Sequence, residues 1–361
     1  MAAPAAPPIL LTVLLISASP EVKFRLLPAI QILAATAILV WIFGSAQVRE
    51  NIGTVFANAD WHWLAAAVFA AAASELACAA RWKILLGAFG IPLPFRKAAA
   101  FSFVGLFYSL GLPGSAGGDA VRSVYAMQNH PNRKLAAAFS VLADRFCGLA
   151  ALSLALGAAL AFEHRLLLSG TTARTIVLAA AALSGGAVLL LLLWWATTIP
   201  RFRDFVSRRH PRMSRRLLES SDIFKSLARR PGAVAAAVGI SLASFAAHFL
   251  CYFFSARAFG ADLGIGQLFT VMPVVDSLTM LPITLYGLGL REALLTVLLG
   301  RYFGIPAAAA AMVSLGGFGA QALVALSGAA LLPFIRTADL GPGANTRSVA
   351  AAAALRHSPR P

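Results

Sequence analysis

Gly111-Leu112-Pro113-Gly114-Ser115-Ala116-Gly117-Gly118-Asp119-Ala120-Val121-Arg122 is a stretch that no continuous α-helix can carry. Pro113 removes a backbone donor and crowds the preceding turn, and the glycines around it favour a turn over a helix. Residues 98–111 lead into it and are apolar but too few to cross a bilayer, which takes about 20 residues. Arg81, Lys83, Arg96 and Lys97 come before this stretch and Arg133 and Lys134 after it, so both flanks read as cytoplasmic. Residues 98–134 are therefore expected to be a re-entrant hairpin that enters and leaves on the inner side, with Pro113, Gly117 and Gly118 at its turn. Broken backbone at membrane depth requires protein or a water-filled cavity around it.

A second stretch repeats the pattern: Leu281-Pro282-Ile283-Thr284-Leu285-Tyr286-Gly287-Leu288-Gly289-Leu290-Arg291-Glu292. Each has Leu-Pro, a glycine-containing turn and an arginine, Arg122 or Arg291, nine residues after the proline. Each is preceded by Phe-Gly, at Phe89-Gly90 and Phe259-Gly260, and followed by a short helical stretch and an Ala-rich span. A second hairpin is expected at 267–305, turning at Pro282, Gly287 and Gly289. Three crossings separate the two, so they should enter from opposite faces, as in an inverted-topology repeat whose broken helices meet at a midplane site.

The rest of the chain fits a lipid solvent. Hydrophobic residues make up 59% of the sequence and charged residues 12%, against about 25% charged in a soluble domain, and the mean hydropathy is +0.79. Spans are expected at 27–45, 61–80, 135–161, 175–199, 232–257 and 306–334, giving an all-α integral membrane protein of six transmembrane helices and two re-entrant hairpins. Residues 1–26 read as a cytoplasmic extension, 27–336 as the transmembrane domain and 337–361 as a disordered cytoplasmic tail. The net charge of +16 collects in loops, most of all at 201–230, where ten Arg and Lys face Asp204, Glu219 and Asp222. That distribution points to positive-inside orientation and contact with an anionic lipid surface, not to nucleic acid. It places both termini on the cytoplasmic side, in a bacterial inner membrane.

Ionisable side chains within spans are costly and so are functional candidates. The candidate substrate-binding set is Glu75, Asp119, Arg122, Asp144, Arg145, Arg291 and Glu292. A guanidinium holds a phosphate bidentately, and glycine-rich turns let backbone amides approach the same anion. On this reading Arg122, Asp119, Arg145 and Arg291 form a polar groove for a headgroup; on the other, each arginine snorkels to the interface or pairs with a carboxylate. Asp144 and Arg145 point about 100° apart on one helix, so each is expected to reach elsewhere, Asp144 towards Arg122, either as a structural brace or as a headgroup contact. Glu75 either relays protons or faces a wet cavity, and Glu292 is a counter-charge for an arginine or a cationic headgroup. Asp276 is a weaker candidate, and His248 reads as a core histidine.

No nucleophile–base spacing, phosphate-binding loop, dinucleotide fingerprint or metal-ligand cluster stands out, so neither an enzyme, a cofactor nor a metal is expected. Cys78, Cys147 and Cys251 lie far apart in apolar runs and read as core residues.

The motifs at 112–122, at Leu142-Ala143-Asp144-Arg145-Phe146-Cys147-Gly148 and at 281–292, with Arg81-Trp82 before them, resemble the lysylphosphatidylglycerol synthase transmembrane (flippase-like) family. The resemblance covers roughly residues 27–336. It implies a flippase-like membrane domain similar to that of the multiple peptide resistance factor, which moves an aminoacylated phospholipid to the outer leaflet. No cytoplasmic synthase domain is expected within these 361 residues. The expected function is translocation of a phospholipid or polyprenyl-linked lipid. The alternative is a non-transporting scaffold that presents a lipid to a separate lipid-modifying enzyme, with 201–230 as docking surface.

Overall fold

The computed structural model describes residues 56–111, 116–196, 229–280 and 287–338, together with Gly53 and Leu227. Among them are nine α-helices: α1 (Trp61–Ala88), α2 (Phe95–Gly111), α3 (Ala116–Asn129), α4 (Lys134–Leu167), α5 (Thr171–Ala196), α6 (Pro231–Ala258), α7 (Ile265–Thr279), α8 (Leu290–Phe303) and α9 (Ala307–Ala338). Five helices are long and apolar enough to cross a membrane, over Trp61–Ala88, Pro131–Leu167, Thr171–Leu189, Pro231–Ala258 and Ala307–Pro333. Large apolar side chains on these helices face outward, with Phe69 76% and Phe162 84% exposed. Water would penalise that surface, and acyl chains would not. The span expected at 27–45, both termini and most of the loop 201–230 lie outside the described residues, as do Pro113 and Pro282.

Asp60 starts α1 by accepting a hydrogen bond from the His62 amide at 2.9 Å. The helix does not stop at residue 80 as its basic residues suggested. It continues to Ala88 because Arg81 and Trp82 turn inward, at 8% and 0% exposed. The two Phe-Gly pairs then end α1 and α6 in the same way. Gly90 and Gly260 adopt left-handed φ values of 73° and 66°. The Ile91 amide donates to the Leu86 carbonyl and the Ala261 amide to the Ala256 carbonyl, both at 2.9 Å. This is a Schellman termination, and glycine takes the left-handed position without a Cβ penalty.

α2 and α3 run antiparallel: Phe101 stacks on Tyr125, and Gly105 meets Gly118 nearer the turn. A Cβ on Gly118 would collide with the Gly105 carbonyl and the Ser109 hydroxyl. Gly117 and Gly118 therefore do not form the turn. Both lie in the first turn of α3, and at Gly118 the lack of a side chain lets the two helices touch. At the second hairpin, Gly287 and Gly289 do take turn conformations, with φ 79° and 81°.

The helices α1–α4 are matched by α6–α9, and α5 lies outside the repeat. α1 and α6 pack antiparallel along their length. The Asp60 amide donates to the Ala258 carbonyl at 2.9 Å at one end, and Arg230 Nη1 donates to the Gly87 carbonyl at 3.0 Å at the other. Midway, the Ser74 hydroxyl donates to the Ser244 carbonyl at 3.0 Å and the Ser244 hydroxyl to the Ser74 carbonyl at 3.1 Å. These residues are 170 positions apart, the same separation as Phe89 from Phe259. Such reciprocal bonds between equivalent positions mark a pseudo-two-fold axis, and the antiparallel pairing makes the repeats inverted. The hairpins cross over: α2 packs on α9, where Gly328 lies against the Phe103 carbonyl, and α7 packs on α4 and α5 in the largest apolar cluster.

Candidate functional site

The axis runs into a cavity of about 260 Å³ whose wall includes both Ser74 and Ser244. α1, α2, α3, α4, α6 and α9 all contribute to it, with Met280 at the end of α7. The broken first hairpin brings the N-terminal turns of α3 to its side, which places Asp119 and Arg122 on the lining.

An alternating chain of charges crosses this wall. Asp144 is 1% exposed and accepts from Arg81 Nε at 2.6 Å, Arg81 Nη2 at 2.9 Å and Arg122 Nη2 at 3.0 Å. Arg122 Nη2 also donates to Asp119 Oδ1 at 2.9 Å, and Arg145 Nε donates to Asp119 Oδ2. The order is Arg81, Asp144, Arg122, Asp119, Arg145, contributed by α1, α3 and α4. Burying charges is tolerable only when their hydrogen bonds are met, and here each carboxylate holds two arginines. The Arg81 Nη1 donates to the Ser241 hydroxyl at 3.0 Å, which extends the network to α6. The Arg122 guanidinium also lies over the Trp82 ring, 5.0 Å from its centroid. Donors remain in excess: Arg122 Nε and the Ser102 hydroxyl are buried without a partner among the described residues.

Glu75 and Cys78 line the cavity from α1, and Phe245 and His248, 170 positions later, line it from α6. His248 Nε2 lies 3.2 Å from Asp276 Oδ2 of α7, close enough to pair when protonated though not aligned as a hydrogen bond. Gln321 of α9 closes the same side, donating to the Tyr252 hydroxyl at 3.0 Å.

Five of the seven sequence candidates, Glu75, Asp119, Arg122, Asp144 and Arg145, thus line one cavity. Arg291 and Glu292 do not. Arg291 is 7% exposed and lies over Tyr252, 5.7 Å from the ring centroid, as Arg122 does over Trp82. The repeat therefore equates the two arginines but does not bring both to one groove. Glu292 is fully buried: it accepts from the Gly289 amide, capping α8, and from the Ser314 hydroxyl at 2.9 Å. Arg81 was read as a cytoplasmic flank and is instead the strongest partner of Asp144. His248, read as a core histidine, sits on the cavity wall. The one sequence signal that separated Arg81 from its basic neighbours is its place in the Arg81-Trp82 motif.

Where Arg81 reaches Asp144 in the first repeat, the second has Cys251 directed at the Gly317 carbonyl, 3.7 Å away. The guanidinium at position 81 thus has no equivalent at position 251, while the backbone plan is shared.

Fold and cavity together define a polytopic helical membrane protein built from two inverted repeats around a charged internal cavity. The chain belongs to the family described as the lysylphosphatidylglycerol synthase TM region, which it matches over residues 29–328. That membership makes it a membrane protein of lipid-related function. Comparison with curated proteins gives no match.

Proposed function

We propose that the chain is a lipid translocase that admits the phosphate-bearing headgroup of a membrane lipid into the cavity while the acyl chains stay in the bilayer. The observation that carries this reading is the excess of donors in a partly open cavity between apolar helices. Three arginines share two aspartates there, and Arg122 Nε and Ser102 still want an acceptor. A phosphodiester is an acceptor whose two non-bridging oxygens match the planar fork of a guanidinium. The two-fold plan supports movement across the bilayer, because inverted repeats exchange conformations to expose one midplane site to either face in turn. The reading places the chain in a bacterial inner membrane with both termini in the cytoplasm and assigns it no covalent step.

The test is reconstitution into vesicles with head-labelled phosphatidylglycerol and a membrane-impermeant quencher. Wild type should raise the rate at which inner-leaflet label becomes accessible, and Arg145→Ala should lower that rate at least tenfold while the protein still elutes as a folded species. Equal rates for wild type, Arg145→Ala and empty vesicles would end the translocase reading.

A further inference from the structure

Three carboxylates line the cavity, and only two are paired. Asp119 and Asp144 each hold two arginines. No hydrogen bond or salt bridge reaches Glu75 among the described residues, although its side chain lines the same space. Three guanidinium groups against two carboxylates leave the network one positive charge in excess. An ionised Glu75 cancels that excess across the cavity. A phosphodiester headgroup carries one negative charge and would cancel it equally well. With both anions present the site would hold an uncompensated negative charge, which a membrane interior penalises.

We infer that headgroup binding is coupled to protonation of Glu75, so that lipid and proton occupy the cavity together. Glu75 is the resident counter-charge of the empty site. An arriving phosphate displaces it from that role, and Glu75 takes one proton from the water in the cavity. No bond in the lipid changes. This inference rests on the headgroup reading above and adds the coupling ion to it.

The other groups facing Glu75 are accounted for. On its own helix are Cys78 and Arg81. α3 and α4 bring the paired Asp119, Arg122, Asp144 and Arg145. α2 and α9 bring only Ser102, Ser109 and Gln321, which do not titrate in water. α6 brings His248, backed by Asp276 of α7, whose imidazole competes with Glu75 as a proton carrier on the wall.

The experiment is calorimetric titration of the full chain in phosphatidylcholine nanodiscs with dihexanoyl phosphatidylglycerol, in two buffers of different ionisation enthalpy. The expected result is uptake of close to one proton per headgroup. The dissociation constant should weaken by about tenfold per pH unit above the titration of Glu75. Glu75→Gln should bind with no proton uptake and a constant that is flat in pH, and Glu75→Asp should restore both effects. Wild-type binding without proton uptake would overturn the coupling and leave the headgroup reading intact. Uptake that persists in Glu75→Gln and vanishes in His248→Gln would overturn the assignment to Glu75. No wild-type binding at all would remove the headgroup reading and the coupling with it. Inorganic phosphate, titrated in parallel, should give neither binding nor uptake; if it alone produces both, the site serves free phosphate and the lipid coupling falls.

Discussion

Asp144 carries more of the site than any other side chain, because it fixes two guanidinium groups from two different helices. Removing one partner of a buried ion pair leaves an uncompensated charge and costs about 3–5 kcal/mol. Asp144→Ala is therefore expected to lower the melting temperature in detergent sharply. Arg145→Ala should cost about 1 kcal/mol or less, since its side chain is 35% exposed and its pair is partly in water. Equal losses would mean that Asp144 is not the hub. Glu292 works on the same scale through neutral groups. Glu292→Ala strands the Gly289 amide and the Ser314 hydroxyl, at about 1–3 kcal/mol. It should lower the melting temperature without changing headgroup affinity, because Glu292 lies off the cavity. A loss of affinity at unchanged stability would place it back in the site.

The hairpin α2–α3 depends on two glycines at its point of contact. A methyl on Gly118 meets the Gly105 carbonyl, which is backbone and cannot rotate away. Gly118→Ala should force the helices apart and cost about 1–3 kcal/mol, the range for overpacking. Shifting α3 also moves Asp119 and Arg122, so headgroup affinity should fall together with thermal stability. By contrast Gly157→Ala on α4 meets nothing within 4 Å and should raise helix stability slightly through propensity. If both substitutions melt alike, the close approach of α2 and α3 is not what holds the hairpin. The existence of both hairpins was legible in a Leu-Pro pair followed by glycines, since glycine and proline report backbone conformation directly. The role of Gly118 was not, because a glycine that turns the chain and one that admits a neighbouring helix read alike in sequence.

The two repeats meet along α1 and α6, and that packing is open to a covalent test. Cys78 Sγ lies 3.2 Å from the Ser244 hydroxyl. Ser244→Cys should therefore form a disulfide with Cys78 on mild oxidation, seen as loss of thiol labelling that reductant restores. A parallel arrangement of α1 and α6 would leave both thiols reactive. If the repeats move against each other during transport, the oxidised form should bind headgroup but not translocate it.

The sequence by itself determined the lipid solvent, the order of helices, the two broken hairpins and the inverted repeat. All of these rest on hydropathy, on Gly and Pro positions, and on loop charge, which act locally. It also identified Asp119, Arg122, Asp144 and Arg145 as chemically out of place in apolar helices. Only the tertiary structure decided which of them meet. Arg81 stands out in sequence only by its motif, and its charge partner appears only when α4 brings Asp144 beside it, 63 positions along the chain. Arg291 matches Arg122 in the repeat yet sits over Tyr252 and away from the cavity. The reason is physical: pseudo-symmetry constrains the backbone, whereas a charge goes where a partner from another helix can satisfy it, and partners are chosen by packing.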